Sequence, residues 1–207
     1  MTIDWNEHYA SGNMPWDSGA PDEHLVRFVG EGGVAAGRAL EIGCGTGTNS
    51  VWLAEQGFSV LGLDLSPLAI EKANARLGER LLACRFEVLD FLTQPVAEGE
   101  FSFAFDRGVL HTFDDAATRA RFAEHVAELL APGALWLSLL GSTEGPPREE
   151  GPPRRTASEV ISALEPSLEI VELRSVVFEN VREEAPKAWF CLSRRRSLPA
   201  QPSTRTE

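Results

Sequence analysis

The chain has 207 residues and a formal net charge of −12, from 31 acidic and 19 basic side chains. That length suits one domain with a sizeable core, and 43% hydrophobic with 24% charged residues is wrong for a disordered chain. The last fourteen residues, 194–207, hold four Arg and one Glu, so everything before them sums to −15, an unfavourable balance for a nucleic-acid partner.

In chain order, two helical pieces come first, about Ile3 to Ala10 and Pro21 to Gly30. Between them lies Asn13-Met14-Pro15-Trp16-Asp17-Ser18-Gly19. Short apolar runs then alternate with segments of helical period, the pattern of a parallel sheet with helices on both faces. Arg38 to Gly43 reads as a strand that ends in glycines and opens a helix through Glu55. Phe58 to Leu63 is a second strand, followed by Ser66-Pro67, a helix cap and first-turn pair, and a helix to about Leu77. Cys84 to Leu89 and Phe101 to Phe105 are the third and fourth strands; the latter is apolar, as burial on both faces requires. Asp114 to Leu130 has helical spacing and stops at Pro132-Gly133, and Ala134 to Leu140 is a fifth strand. Gly141 to Arg155, with four prolines and three glycines, is an irregular connection of the kind that is usually functional. A helix over Thr156 to Leu164 and a closing strand pair, Leu168 to Val177 and Ala188 to Ser193, complete the domain. The expected organisation is one domain over 1–193, comprising N-terminal lid helices (1–33) and a core (38–193), with a disordered tail over 194–207.

Cys44, Cys84 and Cys191 are an odd, scattered set, so a disulfide framework or thiolate zinc site is not expected and a reducing compartment is. The N-terminus lacks a basic n-region and an apolar h-region, and no apolar run approaches the roughly 18 residues that span a bilayer. A cytoplasmic protein without a membrane partner is the expectation. No His/carboxylate cluster has metal-site spacing.

The chemistry concentrates where the strands end. Glu41-Ile42-Gly43-Cys44-Gly45-Thr46-Gly47 is a glycine-rich strand-to-helix turn that lets a ligand approach the backbone. Its spacing is Gly-x-Gly-x-Gly; the third glycine of a dinucleotide fingerprint would fall on Thr48. A carboxylate at Glu41 gains nothing from a pyrophosphate but suits an ammonium or sulfonium. Asp64 ends the second strand, 17 residues after Gly47, where an acidic side chain can accept from both ribose hydroxyls. Asp90-Phe91 places an acceptor and an aromatic face at the same edge, as adenine would need. These positions describe a nucleoside with a positively charged amino-acid arm, S-adenosylmethionine, whose demethylated product is S-adenosylhomocysteine.

The chain thereby resembles the class I S-adenosylmethionine-dependent methyltransferases, through Glu41-x-Gly43-x-Gly45-x-Gly47, Asp64 and Asp90. It is most similar to the small-molecule branch containing thiopurine, thiol and halide methyltransferases. The resemblance implies a Rossmann-like, doubly wound α/β fold with seven strands, the last antiparallel. It also implies a lid from Tyr9 to Gly19, and an aromatic-Asp-Arg-Gly turn at Phe105-Asp106-Arg107-Gly108 that sets Arg107 near the acceptor. The Gly145-Pro146-Pro147 and Gly151-Pro152-Pro153 stretches resemble that branch's substrate loop. The cofactor set is then Trp16, Glu41, Gly43, Gly45, Gly47, Asp64, Leu65, Asp90, Phe91 and Asp106, with Arg107 and His111 as catalytic candidates.

Each has a plainer reading. Trp16 either covers a sulfonium cation or anchors the segment, and Trp5 and Tyr9 share a helix face for packing or contact. Arg107 either serves the acceptor or pairs with Asp106 or Asp114; His111 is either a base or a loop histidine. Cys44 reads as a small filler, and His8, His24 and His125 as surface residues. The Asn/Asp-Pro-Pro-aromatic turn of base-amino methyltransferases is missing: Asp106-Arg107-Gly108-Val109 stands there. The expected partner is a small-molecule nucleophile, a thiol or related soft nucleophile, taken by a monomer or weak homodimer. The alternatives are a small-molecule N- or O-methyltransferase and a donor-binding module without activity.

Overall fold

The computed structural model describes residues 4–146, 151, 153–178 and 185–197. Strands β1 (Arg38–Ile42), β2 (Ser59–Asp64), β3 (Cys84–Val88), β4 (Phe101–Arg107), β5 (Leu130–Gly141), β6 (Leu168–Val177) and β7 (Lys187–Arg195) form one sheet. Its order is β3-β2-β1-β4-β5-β7-β6. β1 pairs in parallel with both β2 and β4, and β7 runs antiparallel between β5 and β6. This is the expected seven-stranded sheet with its last strand reversed. The direction of winding changes between β1 and β4, which opens a crevice beyond their carboxyl ends.

A register shift between Phe101 and Phe103 interrupts the alternation along β4, so Phe101 faces opposite to Phe103 and Phe105. Phe101 and Ala104 join a core with Trp136 of β5, Phe122 of helix α5 (Ala116–Leu129) and Val160 of α6 (Ala157–Leu164). Phe103 and Phe105 join the opposite core with Phe58, with Leu53 of α3 (Thr48–Glu55) and with Leu25 of α2 (Glu23–Gly30). Helix α4 (Pro67–Leu77) lies against β3 and α3, and the short α1 (Trp5–Ser11) lies against α4. The start signals act as expected: Ser66 accepts from the Ala69 N–H, Asp115 from Thr118, and Thr156 forms a reciprocal capping box with Glu159.

Two boundaries differ from expectation. β5 starts at Leu130, directly out of α5, because Leu130 already pairs with Phe101; Pro132-Gly133 sit inside the strand where the register slips before Phe103 meets Leu135. β7 continues through Arg194 and Arg195, which pair with Leu135 and Leu168, so these residues belong to the sheet and not to a tail. The Arg195 guanidinium bonds the Leu130 carbonyl, giving the strand extension an anchor. The remainder of the expected tail from 198, together with Pro147, Arg148, Pro152 and 179–184, lies outside the described residues. Among the described residues, no helix is long and apolar enough to cross a membrane.

Asp106, expected at the cofactor, is instead a fold residue. It is fully buried, takes no part in the cleft wall, and accepts from the Val109 N–H (3.1 Å), the Leu110 N–H (3.2 Å) and the Trp136 indole N–H (3.1 Å). Burial raises its pKa to about 6 against the pull of these donors. Its carboxylate turns the chain after β4 and ties that turn to β5. Asp106→Ala leaves three donors, two of them buried, without a partner and should lower stability by about 3–5 kcal/mol, read by denaturant titration.

Candidate active site

The crevice is a cleft of about 500 Å³, walled by the ends of β1, β2 and β4, the segments after β3 and β4, and the N-terminal segment. At its floor, Glu41 is 1% exposed and accepts from the Asn49 amide (3.0 Å) and the Ser50 hydroxyl (2.5 Å). Both donors are neutral, and among the described residues no cation pairs with it. Burial therefore pushes the Glu41 carboxyl up to about 7.

Two glycines of the turn have different jobs. Gly43 adopts φ +68° and lines the cleft, and a Cβ there would overlap the Val109 side chain. Gly47, at φ +77°, is the N-cap of α3 and is not part of the cleft wall. A Cβ on it would come within 2.7 Å of Phe86 and 2.9 Å of Ala73, so it serves helix–sheet packing, a correction to its expected ligand role. Gly45 lines the cleft and donates its N–H to Asp64 (2.9 Å).

Asp64 also accepts from the Ser66 N–H at 2.9 Å, so each carboxylate oxygen is oriented by one backbone donor and keeps lone pairs for a ligand. Burial raises its pKa. Leu65, next to it, lines the cleft yet is 53% exposed, an apolar surface that a planar ligand would cover. Asp90 lies past the end of β3 and caps its own turn, accepting from the Leu92 N–H (3.0 Å) and the Thr93 hydroxyl (2.7 Å). Phe91 reaches the cleft wall but is buried, with His125 stacked on its ring at 4.4 Å. Of the two apolar candidates, Leu65 therefore has the more open surface. His125 is held at the Phe91 carbonyl (2.8 Å), and His24 is buried against the Val177 carbonyl (2.8 Å), so neither is the surface residue expected.

The N-terminal segment is closed over the cleft by bonds at several points. The Thr46 hydroxyl donates to Asp17 (2.7 Å), the Asp22 N–H to Asn49 (2.9 Å), and the Ser66 hydroxyl to Asn6 (2.7 Å). Trp16 sits edge-on to Trp5, His8 and Tyr9, with ring centroids 5.6, 5.3 and 6.2 Å away. Tyr9 is buried, and its hydroxyl lies beside Gly45.

Arg107 has neither of the ion-pair partners considered from sequence. Its Nε donates to Asp22 (2.6 Å) and one Nη to the Trp16 carbonyl (3.1 Å), while its guanidinium lies over Phe178, 5.0 Å from the ring centre. It is the joint between the end of β4 and the N-terminal segment. His111 is buried in the cleft wall, and its Nδ1 accepts the Gly141 N–H at 2.7 Å. A backbone donor requires a lone pair on Nδ1, so the neutral ring carries its proton on Nε2 and its basic nitrogen is already engaged. That arrangement argues against the general-base reading. Asp22, Asn49 and Ser50 were not singled out in the sequence. Asp22 shows only a cap signal there, and its partner Arg107 lies 85 residues away.

This architecture has close counterparts. One relative, the probable thiol methyltransferase 2 of Arabidopsis thaliana, is 33% identical over 151 residues, covering 72% of this chain and 65% of that one. The chain thus spans slightly less than two thirds of that relative's length. Among solved structures, a protein from the conversion of a disulfide bond into a thioacetal group during echinomycin biosynthesis superimposes with a TM-score of 0.78. It shares 27% identity, with 91% of this chain and 89% of that one covered. The Burkholderia thailandensis 1,6-didemethyltoxoflavin-N1-methyltransferase, solved with 1,6-didemethyltoxoflavin and S-adenosylhomocysteine, has the same fold (TM-score 0.73, 21% identity, 94% and 86% covered). The family model for thiopurine S-methyltransferase (TPMT) matches residues 2–191, and the chain belongs to that family.

Proposed function

We propose that this chain transfers the methyl group of S-adenosylmethionine to a small thiol or related soft nucleophile. The observation that carries the donor assignment is Glu41, a buried carboxylate on the cleft floor held by two neutral donors. An ammonium beside it would supply the missing positive charge. The neighbouring groups fit the rest of the donor: Asp64 offers lone pairs to ribose hydroxyls and Leu65 an apolar face to adenine. Asp90 and Trp16 border the same space. When bound, the donor brings an activated methyl group on its own sulfonium leaving group.

The chain's residues then supply alignment and dryness. Asp64 holds the donor's ribose and Glu41 its ammonium, and the closed N-terminal segment keeps water from the reacting atoms. Positioning of this kind can supply on the order of 7–11 kcal/mol of barrier reduction. With the His111 lone pair occupied, the site favours an acceptor that ionises readily by itself. A thiol, whose free pKa is near ~8.5, presents some thiolate at neutral pH, whereas an alcohol does not. Family membership and the thiol-methylating relative support the same choice. The cysteines are unpaired, with Cys44 and Cys191 buried, which supports a reducing cytoplasmic setting.

The test is calorimetric titration with S-adenosylhomocysteine, followed by an acceptor panel of thiols, amines, phenols and iodide read by mass shift. Absence of uptake overturns the donor assignment; uptake without transfer to any acceptor favours a binding module. Asp64→Ala should weaken product binding by about 2–4 kcal/mol, and an unchanged affinity would contradict the ribose role.

Glu41 gives a pH signature. In the free protein its carboxyl is ionised above about 7 and protonated below, so donor affinity should fall as pH drops through that value. Glu41→Gln should flatten this dependence and lower affinity throughout. Because burial raises the folded pKa above the unfolded one, the native state binds more protons between the two values and loses stability as pH rises through that window. Glu41→Gln should therefore raise the melting temperature at pH 8 more than at pH 5.

A further inference from the structure

Among the described residues, the cleft wall carries six carboxyl side chains, those of Asp17, Asp22, Glu23, Glu41, Asp64 and Asp90. Against them stands one guanidinium, Arg107. A cleft lined by one sign of charge repels ions of that sign before they make contact. Glu41 and Asp64 face the donor's end, at β1 and β2. The acceptor's end lies towards β4, where Arg107 brings the only guanidinium or ammonium among the described residues of the wall. Its wall there is otherwise largely apolar, through Val109, Phe113 and Phe178.

Arg107, however, is already committed. Its ion pair with Asp22 is 2.6 Å long, with side chains only 15% and 4% exposed, and its remaining neighbours include the Trp16 carbonyl and the Phe178 ring. Asp22 is equally fixed. Its other carboxylate oxygen caps α2 by accepting the His24 N–H (2.9 Å), and its own N–H is bonded to Asn49. An anionic acceptor would meet a guanidinium whose charge is already neutralised by a buried carboxylate that the chain holds in place.

We propose that Asp22 is a specificity-determining residue: by occupying Arg107, it makes the acceptor compartment take uncharged, apolar thiols and turn away acceptors with a permanent negative charge. This rests on the methyl-transfer reading and narrows its substrate class. Carboxylate-bearing thiols, thiocyanate and iodide are disfavoured. A neutral thiol enters protonated and gives up its proton through the cleft mouth to bulk solvent as the C–S bond forms, so the selection acts at entry.

The experiment compares methyl phenyl sulfide with 4-(methylthio)benzoate, two product-like probes that differ by one carboxylate and have no thiol to ionise. Each is titrated into wild-type protein saturated with S-adenosylhomocysteine. The neutral probe should bind more tightly by about tenfold or more. In Asp22→Asn, which keeps a capping oxygen but frees the charge of Arg107, the gap should close or invert; Asp22→Ser should move it the same way. The proposal is overturned if the wild-type protein binds the carboxylate probe equally well, if it binds neither probe at millimolar levels, or if the folded variants leave the ratio unchanged. Turnover of benzenethiol and 4-mercaptobenzoate is measured in parallel. A preference in binding without any methyl transfer would sink the enzymatic reading and leave the selectivity of the compartment standing.

Discussion

The site exists because the chain winds in opposite directions from β1 and β4. Strands that share a ladder but send their following segments to opposite faces leave a gap at their carboxyl ends that neither segment covers. Backbone donors are left there in number, and Gly45 and Ser66 spend theirs on orienting Asp64. The glycine turn keeps side-chain atoms out of that gap, and the N-terminal segment roofs it.

Charge is distributed unevenly between structural and functional roles. Asp106 is buried among three donors and holds the fold, whereas Glu41 is buried with two neutral donors at a solvent-reachable wall. The difference is whether the protein itself completes the carboxylate's surroundings. A group that remains short of compensation raises the free energy of the ligand-free state, and a ligand that brings the missing charge recovers it. The cost in stability and the gain in binding come from the same desolvated atom.

Much of this was legible in the sequence. Strand and helix periods, the caps at Ser66 and Thr156, and the Glu41-to-Asp64 spacing are local signals, and the seven-stranded sheet follows from them with the family resemblance. What was not legible depends on partners far apart in the chain. Nothing near Asp22 announces Arg107, and nothing near His111 announces that the Gly141 N–H takes its lone pair. Gly47 and Asp106 carry the spacing of ligand residues, yet their neighbours in space make them packing and pinning residues. The Pro132-Gly133 pair reads as a break, but pairing of Leu130 with Phe101 keeps it within a strand.

Arg107 reaches residue 16 through its main-chain oxygen. Any amino acid presents that same atom, so evolution is free to exchange the indole for another side chain while the strap stays fastened. Attachment of the roof and chemistry of its inner surface are thereby separable, and relatives could diversify what they accept by altering one ring without having to reinvent the closure.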